Sequence, residues 1–586
     1  MFQRVGAALL ALVGVTLVAM GGYVLVSGNG GPAWLPGNGE PTDKAAGSDT
    51  PLLAHVPAEA VLFSGYTADS LPITDLTTAW GELSDAGGSD DLPSPATAAE
   101  NDGAAAGMLT GMYRAYLEDF HDGKTLLDSF GRAPGGAVGV YTVGSLPVMR
   151  VDLADKQRFW QRIDRIEADA GIKPKATDGS AARSRRYAFK TDADNTEVSL
   201  LVATHRGDAV VTVTGAAVPS DAIALALGET MPERSLADSG KLERLAKRYG
   251  TQAGATGFID HEALIGGLTG ASESRFARML AHVDPQGSET ASELFTNKAC
   301  REDARAIAAM WPHTVFGITE VNSDAQRVGG RLALGIDDDQ VLKALTQMRG
   351  RIPEPTSKET VLDLGLGLRL QNVAMSVQQL SDRFTGADFG CPRLKRSQQR
   401  LTNQGLGRVE MVTRMVGDIR GVGLAVMALK PGSGMSPVGG DAIVEIATPD
   451  PESLWRTANS MIGLKAENQP EPGGSAVAVS GLGAPGVPTL RVALRDNALV
   501  VLVGDAQLDH AAGETELEAN GMMRLRYSGP ALGQAIQDSG VSRRAGSEAQ
   551  QALASVRGTN LRYDMSLDIA SNGIHFDSVI DVTSSQ

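Results

Sequence analysis

Few residues of this chain pair the types that do chemistry. Asp260-His261-Glu262 and His282-Val283-Asp284 set an imidazole beside carboxylates, as a general base or a metal site would. Either role needs a third group converging from elsewhere, so both are read as surface or capping residues. Asp337-Asp338-Asp339 follows an apolar strand-like run and precedes a helix-like one. A carboxylate there caps free backbone amides and suits the helix dipole without calcium. Gly481-Leu482-Gly483-Ala484-Pro485-Gly486 fits G-x-G-x-x-G, but Val487-Pro488 and a strand-like run follow. A dinucleotide site needs a helix at that point, so this is read as a loop. No phosphate loop, G-x-S-x-G elbow, H-E-x-x-H or EF-hand loop occurs. No catalytic, cofactor-binding or metal-binding residue is assigned, and no cofactor is expected.

Trp160 and Trp455 stand at helical spacing beside isoleucines and are expected in the core. Arg183, Arg185 and Arg186 read as a solvated loop, with a local basic patch as the alternative. Cys300 and Cys391 are the 2 cysteines, without a C-x-x-C spacing or a histidine cluster. In an oxidising compartment two cysteines pair. A Cys300–Cys391 disulfide would close a loop of about 90 residues, worth about 4–5 kcal/mol in the chain-entropy account.

The elements that must position these residues recur. Val198 to Ala216 reads VSLLVATHRGDAVVTVTGA, and Thr489 to Ala506 reads TLRVALRDNALVVLVGDA. Each is two apolar runs about a polar turn. Before them stand PVMRVDLADKQRFWQRIDRI from Pro147 and DAIVEIATPDPESLWRTANSMI from Asp441. Both give a strand, then Asp155 or Asp450 as a helix cap, then a helix carrying Trp160 or Trp455.

Further matches run in the same order. Upstream lie VPAEAVLFSGY and ETVLDLGLGLRL, MLTGMYRAYLEDF and RVEMVTRMVGDI, and GGAVGVYTVG and RGVGLAVMAL. Downstream, GFIDHEALIGGL matches RYSGPALGQAI, and each half closes on a hairpin, the second turning at Asn572-Gly573. The order predicts an internal duplication of an α+β unit, an antiparallel sheet with helices packed on one face. Ser84–Gly107 and Thr269–Thr296 read as extra loops of the first copy. Ala498–Val503 is apolar on both faces and should be a central strand.

The 586 residues exceed one core, and 42% apolar with 21% charged residues is a globular balance. A net charge of -16 argues against nucleic acid, and 5% aromatics against a stacking platform. Val5 to Val26 has no charge. As a helix its length of about 33 Å would cross a bilayer. Arg4 precedes it and no basic residue follows until Lys44. That asymmetry puts the short tail in the cytoplasm and the bulk outside. A cleaved signal peptide, with Ala19-Met20-Gly21 as the site, is the alternative. The expected organisation is a transmembrane anchor at 1–26, a Gly/Pro/Ser tether at 27–51, and α+β units at 52–352 and 353–586.

VPAEAVLF, AVGVYTVGSLPVMRVDLAD and PERSLADSGKLERLAKRYG resemble an uncharacterised family of membrane-anchored envelope proteins of Gram-negative bacteria, a domain of unknown function. The resemblance covers residues 50–350 best. It implies a single-pass inner-membrane protein with its bulk in the periplasm, and no reaction. The functional expectation is a non-enzymatic protein with an envelope protein partner. The alternatives are a lipid or lipoprotein carrier, with Gly-rich LDLGLGLRL lending curvature, and an enzyme whose site is scattered.

Overall fold

The computed structural model describes residues 51–582 apart from 67–92, 120–127, 134–135, 177–182, 191–197, 217, 270–273, 284–296, 323–326, 355–359, 405–417, 432–437, 463–464, 467–468, 481–489, 512–515 and 540–560. The apolar run at 5–26, the RVEMVTRMVGDI segment up to residue 417 and the Gly481–Gly486 motif lie outside them. No described helix is long and apolar enough to cross a membrane. The fold is α+β, with antiparallel strands and fifteen α-helices among the described residues. These fall into two compact units. Unit 1 runs to Asn322 with Gly330–Leu332, and unit 2 takes 327–329 and everything from Ala333. Unit 2 thus begins ahead of the 352/353 division expected from sequence. Ile336 N already donates to Asn572 O, and Asp338 pairs with Arg383.

Unit 1 contains, in chain order, α1 (Leu52–His55), β1 (Leu62–Tyr66), α2 (Pro95–Asp102), α3 (Ala104–Asp119), β2 (Val138–Val143), β3 (Leu146–Asp152), α4 (Lys156–Ala170), β4 (Lys175–Ala176), β5 (Arg183–Ala188), β6 (Val198–His205), β7 (Asp208–Gly215), α5 (Ser220–Leu227), α6 (Leu236–Ser239), α7 (Lys241–Tyr249), β8 (Thr256–Asp260), α8 (His261–Leu268), α9 (Arg275–Val283), α10 (Lys298–Met310) and β9 (His313–Asn322). Its strands lie in the order β9-β8-β1-β2-β3-β7-β6-β5-β4, every neighbour antiparallel. Two stretches read as loops prove helical, since α2 and α3 cover part of Ser84–Gly107 and α9 part of Thr269–Thr296.

Unit 2 continues with β10 (Arg327–Gly335), α11 (Asp339–Gln347), β11 (Leu362–Leu366), α12 (Leu370–Thr385), α13 (Pro392–Gln404), β12 (Gly421–Pro431), β13 (Val438–Ala447), α14 (Pro451–Ile462), β14 (Lys465–Ala466), β15 (Val477–Ser480), β16 (Leu490–Arg495), β17 (Ala498–Val503), β18 (Met523–Ser528), α15 (Gly529–Asp538), β19 (Leu561–Ala570) and β20 (Gly573–Val582). The order is β10-β20-β19-β18-β11-β12-β13-β17-β16-β15-β14. β17 is flanked by β13 and β16, as its two apolar faces required.

Local chemistry explains the repeated pieces. Asp155 accepts from the amides of Gln157 and Arg158 at 2.8 and 3.0 Å, and Asp450 from that of Ser453 at 2.9 Å. Each carboxylate stops its strand and starts α4 or α14. The β6–β7 hairpin turns on Arg206-Gly207 with Arg206 at φ 49°, a left-handed conformation that two-residue hairpins require. Gly207 O then accepts from Leu153 N at 2.8 Å, and in unit 2 Asn497 O accepts from Thr448 N at 3.0 Å. The final turn is Ser571-Asn572, one residue earlier than the sequence implied. Gly573 opens β20 at φ 145°, where a Cβ would strike Leu334 O.

In unit 1 helices cover both faces of the sheet, not one. On one face, Met108 of α3 and Phe159, Trp160, Ile163 and Ile166 of α4 pack on Leu200, Val202, Ala209 and Val211. On the other lie α1 and α5. Trp455 of α14 is likewise buried, against Val492, Leu494 and Leu499. Both tryptophans are core residues.

Candidate functional site

The described residues place the sequence candidates in structural roles. Asp260 caps α8 through Ala263 N at 2.8 Å and pairs with Lys241 Nζ at 2.5 Å. Burial pushes its carboxyl up, but Lys241 and the capping amide outweigh that and hold it below the usual range. His261 Nδ1 meets Trp311 O at 2.6 Å and its Nε2 meets Thr314 Oγ1 at 3.0 Å. Both ring nitrogens are thereby committed. His282 lies in α9, and Asp284 is outside the described residues. Asp338 caps α11 through the amides of Gln340 and Val341, each at 3.0 Å. No group of three metal-ligating side chains occurs among the described residues.

Arg183, Arg185 and Arg186 form strand β5, not a solvated loop. The guanidinium carbons of Arg183 and Arg185 sit 4.6 and 4.8 Å from the Trp160 ring centre. Arg185 also pairs with Asp164 at 2.6 Å and Glu167 at 2.9 Å. Arg183 and Arg185 are therefore spent on the unit's own helix α4, while Arg186 is exposed. Cys300 and Cys391 are both buried and both disulfide-bonded.

The densest convergence of polar groups escaped the sequence reading. Arg150, in the middle of β3, is 1% exposed. Its guanidinium pairs with Asp208 at the start of β7, donates to Ala226 O of α5 at 2.9 Å, and meets Tyr141 Oη of β2 at 3.3 Å. His55, the last residue of α1, places Nε2 3.9 Å from Asp208 Oδ2 and is itself 2% exposed. Asp152 completes the group and accepts from Ala137 N at 3.0 Å. Burial, then the Arg150, Arg206 and His205 charges, lower the His55 ring to about 4. Burial and the nearby Asp208 raise Asp152 to about 6.

An acid, a base and a guanidinium are thus assembled, but Tyr141, Arg150, Asp208 and His55 are 0–2% exposed. A substrate could not reach them. The arrangement can hold charge, orient β2, β3, β7, α1 and α5, and respond to protons. The only local signal was an arginine inside an apolar strand, VMRVD, whose own Asp152 is not the carboxylate it pairs with; that is Asp208, 58 residues on.

Unit 2 has its own buried pair. Arg524 of β18 donates to Asp363 of β11 and reaches Glu354, both at 3.0 Å. Asp363 is 2% exposed, while its neighbours Leu364 and Leu366 are 41% and 48% exposed. No family model matches this chain, and no match was found among curated proteins or solved structures.

Proposed function

We propose that this chain is an exported, membrane-anchored, non-enzymatic protein of the periplasm. Its duplicated α+β unit would bind an envelope protein partner. The observation that carries the non-enzymatic reading is the sealing of the densest acid–base convergence described, at Arg150, Asp208 and His55, inside a core. Export is supported by the uncharged run from Val5 to Val26 and by two bonded cysteines, which belong to an oxidising compartment. The matching strand orders of the two units support the duplication.

The test is crosslinking of the full chain in intact cells, with mass spectrometry of what is captured and protease added to spheroplasts. A reproducible protein adduct and cleavage from outside are expected. Protection from external protease would overturn export. Lipid recovered on the purified chain, without a protein adduct, would favour an apolar-ligand carrier. The exposed Leu364 and Leu366 are the observation on that side.

A further inference from the structure

We propose that His55 is a pH-sensitive latch that fastens the first described segment of unit 1, residues 51–58, to the middle of its sheet. The geometry is a closed slot for a neutral ring. His55 is 2% exposed, and its Nδ1 has no hydrogen-bond partner. Gly228, at φ 77°, closes the slot. A Cβ there would lie 3.1 Å from His55 Cε1 and Nδ1 and 3.0 Å from Arg150 Nη2, so no wider residue fits.

The charges around the slot come from every packed element. β3 supplies Arg150 and Asp152, β2 Tyr141, β6 His205, the hairpin turn Arg206, and β7 Asp208. Glu229 follows α5 and acts on His205. α6 adds Asp238, which is exposed and bonded to Ser235. The one carboxylate facing the ring, Asp208, gives its Oδ2 to Arg150 and stands 3.9 Å from the ring, while its Oδ1 has no hydrogen-bond partner. A proton on His55 would therefore sit beside a buried guanidinium with no acceptor at Nδ1. Burial and these cations push the ring down to about 4.

A ring that must stay neutral to remain inside links seating to pH. The hold is fully present above the ordinary pKa of 6.5 and is lost as pH falls towards about 4. The segment has other attachments, among them buried Val56 and a bridge from Pro57 to Ser235. Leu52 lies over Gly139, Val56 O accepts from Leu236 N at 2.7 Å, and Ala58 N donates to Arg234 O at 2.9 Å. Protonation favours a state in which the ring reaches water and carries α1 with it, while β2, β3 and β7 keep their ladders.

The experiment is hydrogen exchange with mass spectrometry on the full chain in detergent. Rates for peptides spanning 52–58 and 198–215 are divided by the intrinsic amide rate at each pH. Between pH 7 and pH 4 the opening of 52–58 should rise about 100-fold, because the seated ring is itself half protonated at pH 4, with 198–215 unchanged. His55→Gln should flatten the profile. Arg206→Asn, at an exposed turn that keeps its left-handed backbone, should shrink the rise because a repelling cation is gone. A wild-type profile retained in both variants would overturn the latch. So would opening of 198–215 together with 52–58.

Discussion

Where unit 1 holds Arg150 opposite Gly139 and Val210, unit 2 holds Glu445 opposite Gly423 and Val500. By the same registers Asp152 and Asp208 correspond to Ala447 and Ala498, and Tyr141 to Ala425. The reverse exchange appears one strand away. Phe63 faces Phe258 in unit 1, and Asp363 faces Arg526 in unit 2. Each unit buries a guanidinium–carboxylate pair, but one spans β3 and β7 and the other β11 and β18. The backbone ladder fixes the sheet. Buried charge can move across it provided both partners move together, because one alone is costly.

A second likeness is physical rather than chemical. Gly65 pairs with Gly139, and Gly365 with Gly423. The segments about ten residues before β1 and before β11 lie on these pairs. A Cβ at Gly139 would come 2.8 Å from Leu52 Cδ2, one at Gly365 would strike Ile352, and one at Gly423 would lie 3.3 Å from Pro353 Cβ. The glycines form a shallow seat for incoming chain.

The sharpest way to break the comparison is Arg150→Met. It strands Asp208 in the core and should cost about 3–5 kcal/mol in urea unfolding of the full chain. Arg150→Met with Asp208→Ala, which gives β7 the alanine that β17 has, should recover much of the loss. A single-variant cost within that of a surface change would show the pair is idle. Next come Gly139→Val and Gly365→Val. Each should cost about 1–3 kcal/mol by overpacking and open the segment before its strand to protease. Cleavage in one unit alone would mean the seat is not shared.

Asp152→Asn tests the charge that unit 2 lacks. A carboxyl raised from 3.8 to about 6 gives stability that is full below 3.8 and lost as pH rises through 6. The variant should therefore gain about 1–2 kcal/mol at pH 7.5, after discounting for water screening, and nothing near pH 3.5. A gain independent of pH would assign the effect to packing. The smallest change expected is Leu364→Ser with Leu366→Thr, within about 0.5 kcal/mol, because both side chains are exposed. At the matching positions of unit 1, Ser64 is 3% and Tyr66 9% exposed, and Ser64→Leu should be felt in thermal unfolding.

Short-range chemistry was legible in the sequence. The capping aspartates, the two-residue hairpins and the doubly apolar β17 follow from patterns within about ten residues. The strand order emerged only as a series of matching pieces. What stayed hidden depends on distant partners. LDLGL gave no sign of its facing, and Asp363 and Gly365 face the core because Ile352 fills the space above Gly365 and Arg524 comes from 161 residues away. Arg150 likewise meets an aspartate 58 residues on, and a histidine on the unit's first helix approaches that same aspartate. The β5 arginines looked solvated because nothing local shows Trp160 beneath them.

The pairing of β1 has a consequence for how the chain is made. Phe63 is bonded across to β8, roughly 200 residues later, and Leu362 to β18, roughly 165 residues later. During synthesis, β2, β3, β6 and β7 can assemble from nearby sequence. One edge of β1, and later of β11, stays unpaired until the end of its unit emerges. A ribosome stalled before residue 256, or a truncation there, would leave the middle of a sheet as a raw edge, able to recruit another chain's strand.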